Sequence, residues 1–100
     1  MNYTIVPSKR FRKAVRKYKK SGRTLILRAA AEVIDLLAIH DARSQYVLGT
    51  RWRDHALKGD KQGIRELHLS QDDLLLYAVD EQLQIIKLLD IVSHEELRKQ

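Results

Sequence analysis

Apolar and polar positions along this chain follow two periods, and the change of period splits it into a helical half and a stranded half. A short alternating run, Tyr3–Pro7, predicts a strand that Pro7 limits. Phe11, Ala14, Val15 and Tyr18 then recur at the i, i+3, i+4, i+7 spacing of one helical face. Ser8 is placed to cap this helix and Ser21-Gly22 to end it. A second helix is predicted from a cap at Thr24 to about His40, with Ile26, Ala30, Val33 and Leu37 as its central stripe. So short a connection makes the two an antiparallel hairpin whose apolar face needs a sheet to cover.

Residues 41–62 show neither period and read as a long irregular segment, of the kind that carries function more often than decoration. The pattern then predicts strands at about Ile64–Leu69, Leu74–Val79 and Leu83–Ile91, the last apolar on both faces. Ser93 and Glu96 form a capping box for a short terminal helix. The order β-α-α-β-β-β-α describes one α+β domain over residues 1–100: a helical hairpin packed on a small, mainly antiparallel, four-stranded sheet. With Leu67 and Leu69 facing the helices, Ile64, Glu66 and His68 face the open side.

Composition narrows the class. The chain has no cysteine, which excludes disulfides and thiolate metal sites. It has neither a secretory-type start nor an apolar run long enough to span a bilayer, so a soluble cytoplasmic protein without membrane partners is expected. The net charge of +6 conceals a sharper asymmetry: the first 28 residues hold ten Lys or Arg and no acid, while the rest carries nine bases against thirteen acids. Such segregation creates a face that attracts polyanions or an acidic partner.

The four histidines are not equivalent. His40 closes the second helix and reads as structural. His68 ends a strand and Asp72 lies in the turn that follows. The final strand must return beside that turn, where Ser93 can bend the chain, so His94, His68 and Asp72 share one edge of the sheet. His55 sits in the long irregular segment, and topology leaves its position open. No histidine pair has the tight spacing of a metal motif, so neither metal nor other cofactor is expected. Imidazoles and a carboxylate beside a basic surface suit acid–base cleavage of RNA, which brings its own 2′-hydroxyl nucleophile. Trp52 between Arg51 and Arg53 suggests a stacking and phosphate-binding platform.

The runs "DHALKG" (Asp54–Gly59), "RELHLSQD" (Arg65–Asp72), "LLLY" (Leu74–Tyr77) and "SHEEL" (Ser93–Leu97), in this order, resemble the YafQ-like branch of the RelE/ParE superfamily of bacterial type II toxin–antitoxin toxins. The resemblance implies a RelE-like fold and a metal-independent, ribosome-dependent endoribonuclease that cuts translated mRNA. It implies catalytic roles for His55, His68, Asp72 and His94: His94 with His55 as the acid–base pair, and His68, supported by Asp72, positioning the phosphate. Lys13, Arg16, Lys17, Lys20, Arg51, Trp52, Arg53, Arg65 and Arg98 become the expected RNA and ribosome contacts. The implied partners are the ribosome, mRNA and an acidic antitoxin of the DinJ/RelB type, with operator DNA reached only through the antitoxin complex. Two family aromatics are replaced, by Asp73 and Arg98, which weakens the expectation of base stacking. Two other readings are a gyrase-poisoning toxin of the same fold and a non-catalytic RNA-binding module.

Overall fold

The computed structural model describes residues 2–98, without the side chains of residues 97 and 98, so the contact expected of Arg98 lies outside the described residues. The helical hairpin forms as its periodicity requires. Strand β1 (Thr4–Pro7) leads into α1 (Lys9–Lys20), whose cap is the Ser8 hydroxyl accepting from the Phe11 N–H. Phe11 and Tyr18 are buried on the inner face. Gly22, at φ +73°, takes the left-handed turn that lets α2 (Thr24–Ile39) run back. Ile26, Ala30, Val33 and Leu37 are the buried stripe of α2, as the spacing predicts.

The segment read as irregular contains a third helix, α3 (Ala42–Arg51). Its start is a capping box: the Asp41 carboxylate accepts from the Ser44 N–H, and the Ser44 hydroxyl accepts from the Asp41 N–H. After α3 come a two-residue strand, β2 (His55–Ala56), and a 3₁₀ turn at Gly59–Lys61. Strands β3 (Arg65–His68), β4 (Asp73–Asp80) and β5 (Ile85–Ser93) follow, then α4 (His94–Arg98). The capping box of α4 is present in both directions between Ser93 and Glu96.

Among the described residues the sheet has five strands, not four, in the order β1-β5-β4-β3-β2, with β1–β5 parallel and the other pairs antiparallel. The extra strand is β2, too short to produce any alternation. The helices pack on one face, over Leu67, Leu69, Leu75, Tyr77, Ile86, Leu88 and Ile91. Leu74, Leu76 and Val92 form a smaller cluster on the other face with Leu57, Ile64 and Leu89. A register shift at Leu76/Tyr77 resets the alternation of β5, so Leu88 and Ile91 both reach the main core while Leu89 joins the second cluster. Leu83, expected to open the last strand, lies instead in the β4–β5 turn and is exposed. Among the described residues no helix is long and apolar enough to cross a membrane.

Candidate active site

Pairing in the sheet gathers three of the four histidines. His55 on β2 lies opposite Glu66 on β3, and His68 at the end of β3 lies opposite Leu74. Asp73 pairs with Ser93, which ends β5 beside the β3–β4 turn. The chain then bends into α4, and the His94 N–H donates to the Asp72 carbonyl at 2.9 Å. The three rings form a row with His68 in the middle, its centroid 5.9 Å from that of His55 and 5.4 Å from that of His94. The shared edge expected for His68, Asp72 and His94 is present, and β2 brings His55 to it.

The carboxylate among these rings is Glu66, not Asp72. Glu66 is buried, 5% exposed, and its Oε1 stands 3.2 Å from His55 Nε2 and 3.8 Å from His68 Nε2. On its other side His55 Nδ1 lies 2.7 Å from the Arg53 carbonyl, which can only accept, so Nδ1 carries a proton. Burial, reinforced by the charge of Arg53, pushes the His68 imidazole below its usual pKa and favours the neutral ring. One ligand atom from each of His55, Glu66 and His68 lies within 4.8 Å of the others, which makes this trio able to hold a metal ion. Sequence reasoning placed Glu66 on the face of His68 but gave it no role; that shared face was the available signal.

Asp72 stands exposed on the turn, and among the described residues no hydrogen bond or ion pair joins its carboxylate to His68. What Asp72 contributes is its backbone, through the bond to His94. Asp73, read from sequence as a stand-in for a missing surface aromatic, is 1% exposed and points inward. It accepts from the Tyr18 hydroxyl at 2.6 Å, from Arg23 at 3.2 and 2.7 Å, and from the Ser70 hydroxyl at 2.8 Å. Burial raises its pKa, but the bonds from Tyr18, Ser70 and Arg23 outweigh burial and hold it below the usual carboxylate range. This cluster ties the C-terminal end of α1 to the turn that carries Asp72.

The expected binding residues divide. Lys13, Arg16, Lys17 and Lys20 line one groove with Ser21. A second groove runs from that basic surface to Glu96 on α4, lined by Arg10, Lys13 and Lys17 together with the acids Asp90 and Glu96. Arg51 and Arg53 are exposed, and Arg53 is close enough to act on His68. Trp52 is not an exposed platform: it is 8% exposed and part of the main core, and its carbonyl accepts from the His68 N–H at 2.8 Å. Its neighbour Arg51 lies over the ring at 5.5 Å. Arg65 is also turned away from the histidines. Its guanidinium bonds the Asp54 carboxylate at 3.1 Å and the Tyr77 hydroxyl at 3.3 Å, on the helix side of the sheet. There it anchors Asp54, immediately before His55. His40 is structural, as expected: it closes α2 at φ 49° and stacks at 4.1 Å on the Tyr3 ring.

The comparisons agree with this architecture. Residues 3–99 match the model of a family described as the bacterial toxin of type II toxin–antitoxin system, YafQ. No curated protein matches the chain in sequence. A metal-bound toxin from Helicobacter pylori is 34% identical, with 95% of this chain and 98% of that one covered, at a TM-score of 0.79. The toxin of the E. coli DinJ-YafQ toxin–antitoxin complex superposes at 0.76 with 22% identity, covering 97% and 98% of the two chains. The archaeal RelE-RelB complex from Pyrococcus horikoshii OT3 gives 0.68 at 21% identity, with coverage of 93% and 96%. Its RelE-like fold and a family match spanning nearly its whole length show that this chain belongs to the YafQ family of bacterial type II toxin–antitoxin toxins.

Proposed function

We propose that this toxin is a ribosome-dependent endoribonuclease that cleaves translated mRNA by attack of the RNA 2′-hydroxyl on the adjacent phosphorus. The observation that carries this reading is the convergence of His55, His68, His94 and the buried Glu66 at one sheet edge beside a basic surface. Cleavage needs a proton acceptor for the 2′-hydroxyl and a proton donor for the departing 5′-oxygen. The His55–Glu66 pair suits the acceptor, because a carboxylate 3.2 Å away stabilises the imidazolium that forms. His94, beyond the central ring, is the donor. His68 lies between them and positions the phosphate by hydrogen bonding. Asp72 holds the backbone of His94, and its carboxylate is exposed on the turn. As the bond from O2′ to phosphorus forms, the bond from phosphorus to O5′ breaks, leaving a 2′,3′-cyclic phosphate and a 5′-hydroxyl.

Arg53 supplies positive charge at the site. Lys13, Arg16, Lys17 and Lys20 grip ribosomal RNA, and an acidic antitoxin segment covers this surface or the active site in the neutralised complex. An antitoxin partner is in keeping with the DinJ-YafQ complex of E. coli. Neutralising these four side chains together is expected to weaken ribosome binding and flatten its dependence on salt, because each phosphate contact contributes to the salt slope. Co-sedimentation with ribosomes at low and high salt measures this; identical binding at both would remove α1 from the interface.

The reading is tested by inducing the protein and mapping the 5′ ends of a reporter message, alongside the same transcript without a start codon. Cuts confined to the translated message are expected. Intact messages with broken DNA would instead indicate a gyrase poison, and equal cutting of both transcripts would exclude ribosome dependence.

A further inference from the structure

We infer that His55, Glu66 and His68 form a binding site for a divalent transition-metal ion of the zinc or copper kind, and that an ion seated there shuts the active site. The donors are two imidazole nitrogens and one carboxylate oxygen, the set that borderline metals prefer and that calcium or magnesium do not. Bonds of about 2.0–2.1 Å to a tetrahedral ion put neighbouring donors about 3.3 Å apart. The His55 Nε2–Glu66 Oε1 separation is already 3.2 Å, and Glu66 Oε1–His68 Nε2 is 3.8 Å. All three donors lie within 4.8 Å of one another, so closing on an ion needs no separation to shrink by more than about 1.5 Å.

The outer shell also fits. The Arg53 carbonyl 2.7 Å from His55 Nδ1 fixes the tautomer that leaves Nε2 as the ligand, the arrangement common around metal-bound imidazoles. Glu66 is nearly buried, so its charge is poorly screened. Arg53 opposes a cation here, so the ion must be one that imidazole bonds strongly, not one held by charge alone. The three side chains leave at least one coordination position open, to water or to His94.

The inhibitory part rests on the ribonuclease reading: an ion on His55 Nε2 and Glu66 removes the proton acceptor for the 2′-hydroxyl. Binding is read independently of activity, by titrating the full chain with cobalt(II) and following visible absorption, with zinc as competitor in calorimetry. One ion per chain is expected. His55→Gln and Glu66→Gln should each weaken binding by at least about tenfold, and His40→Gln should leave it unchanged. A zinc-induced rise in the wild-type melting temperature gives the same answer should either variant fold poorly. Absence of cobalt bands and of any zinc-induced rise overturns the site, as does affinity unaltered in both variants. Cleavage of a translated message in chelator should be lost when zinc saturates the protein; undiminished cleavage overturns the inhibition. Cobalt bands in a protein that cuts no message even in chelator would leave the site standing and sink the ribonuclease reading.

Discussion

His94→Ala is expected to lower cleavage of a translated message by about 100-fold or more while leaving the fold intact, and His55→Ala should do the same. General acid–base catalysis by a positioned group contributes about 10²–10⁴-fold, and each substitution removes one of its two partners. Neither side chain is a core element. His55 is exposed, and alanine at position 94 keeps the N–H that donates to the Asp72 carbonyl. Glu66→Gln should fall between these variants and wild type, since it leaves both imidazoles but removes the charge that stabilises a protonated His55. Single-turnover cleavage on programmed ribosomes, with circular dichroism of each variant, measures all three. Wild-type rates in both alanine variants would end the acid–base assignment.

Asp73→Ala carries the largest expected effect on stability. Its carboxylate, 1% exposed, gathers hydrogen bonds from Tyr18, Ser70 and both terminal nitrogens of Arg23. Removing one partner from a fully buried ion pair costs about 3–5 kcal/mol. The Arg23 side chain is 46% exposed and keeps much of its hydration, so about 2–3 kcal/mol is expected after that discount. For a domain of this size that is a fall of about 10–20 °C in melting temperature. The sign of the pH effect follows from the depressed pKa of Asp73. Its contribution is fully present above the carboxylate pKa of the unfolded chain and is lost as pH falls through the lower, folded value. Wild type should therefore converge on Asp73→Asn in strong acid and exceed it at neutral pH. Thermal melts across that range decide the matter; a constant difference down to strong acid would contradict it.

The helical hairpin was legible because its apolar stripes repeat over about two turns in α1 and three in α2, and the helix-side leucines of β3 because alternation fixes a face. Helix α3 was not, because Gly49 interrupts it and its buried residues, Ser44 and Leu48, make only one apolar position. Strand β2 is two residues long, below the length at which any period exists, and it is the element that places His55. Asp73 was misread for a different reason. Next to Ser70 and Asp72 it looks like ordinary turn chemistry, and its partner Arg23 is 50 residues away. Trp52 between two arginines gave no local sign that its ring is buried while its neighbours are not. What the sequence carried well was which residues share a face or an edge. What it carried poorly was which polar groups bond across the fold, so Glu66 entered the site only once β2 had brought His55 opposite it.

The central claim, cleavage by 2′-hydroxyl attack at the histidine edge, is tested most directly by the chemistry of the cut ends. Fragments of a translated message cut by the wild-type protein should carry a 5′-hydroxyl, ligating to an adaptor only after phosphorylation by a kinase, with a 2′,3′-cyclic phosphate on the upstream piece. Fragments bearing a 5′-phosphate and a 3′-hydroxyl would mean that water, not the RNA's own hydroxyl, attacks the phosphorus, and would contradict the account.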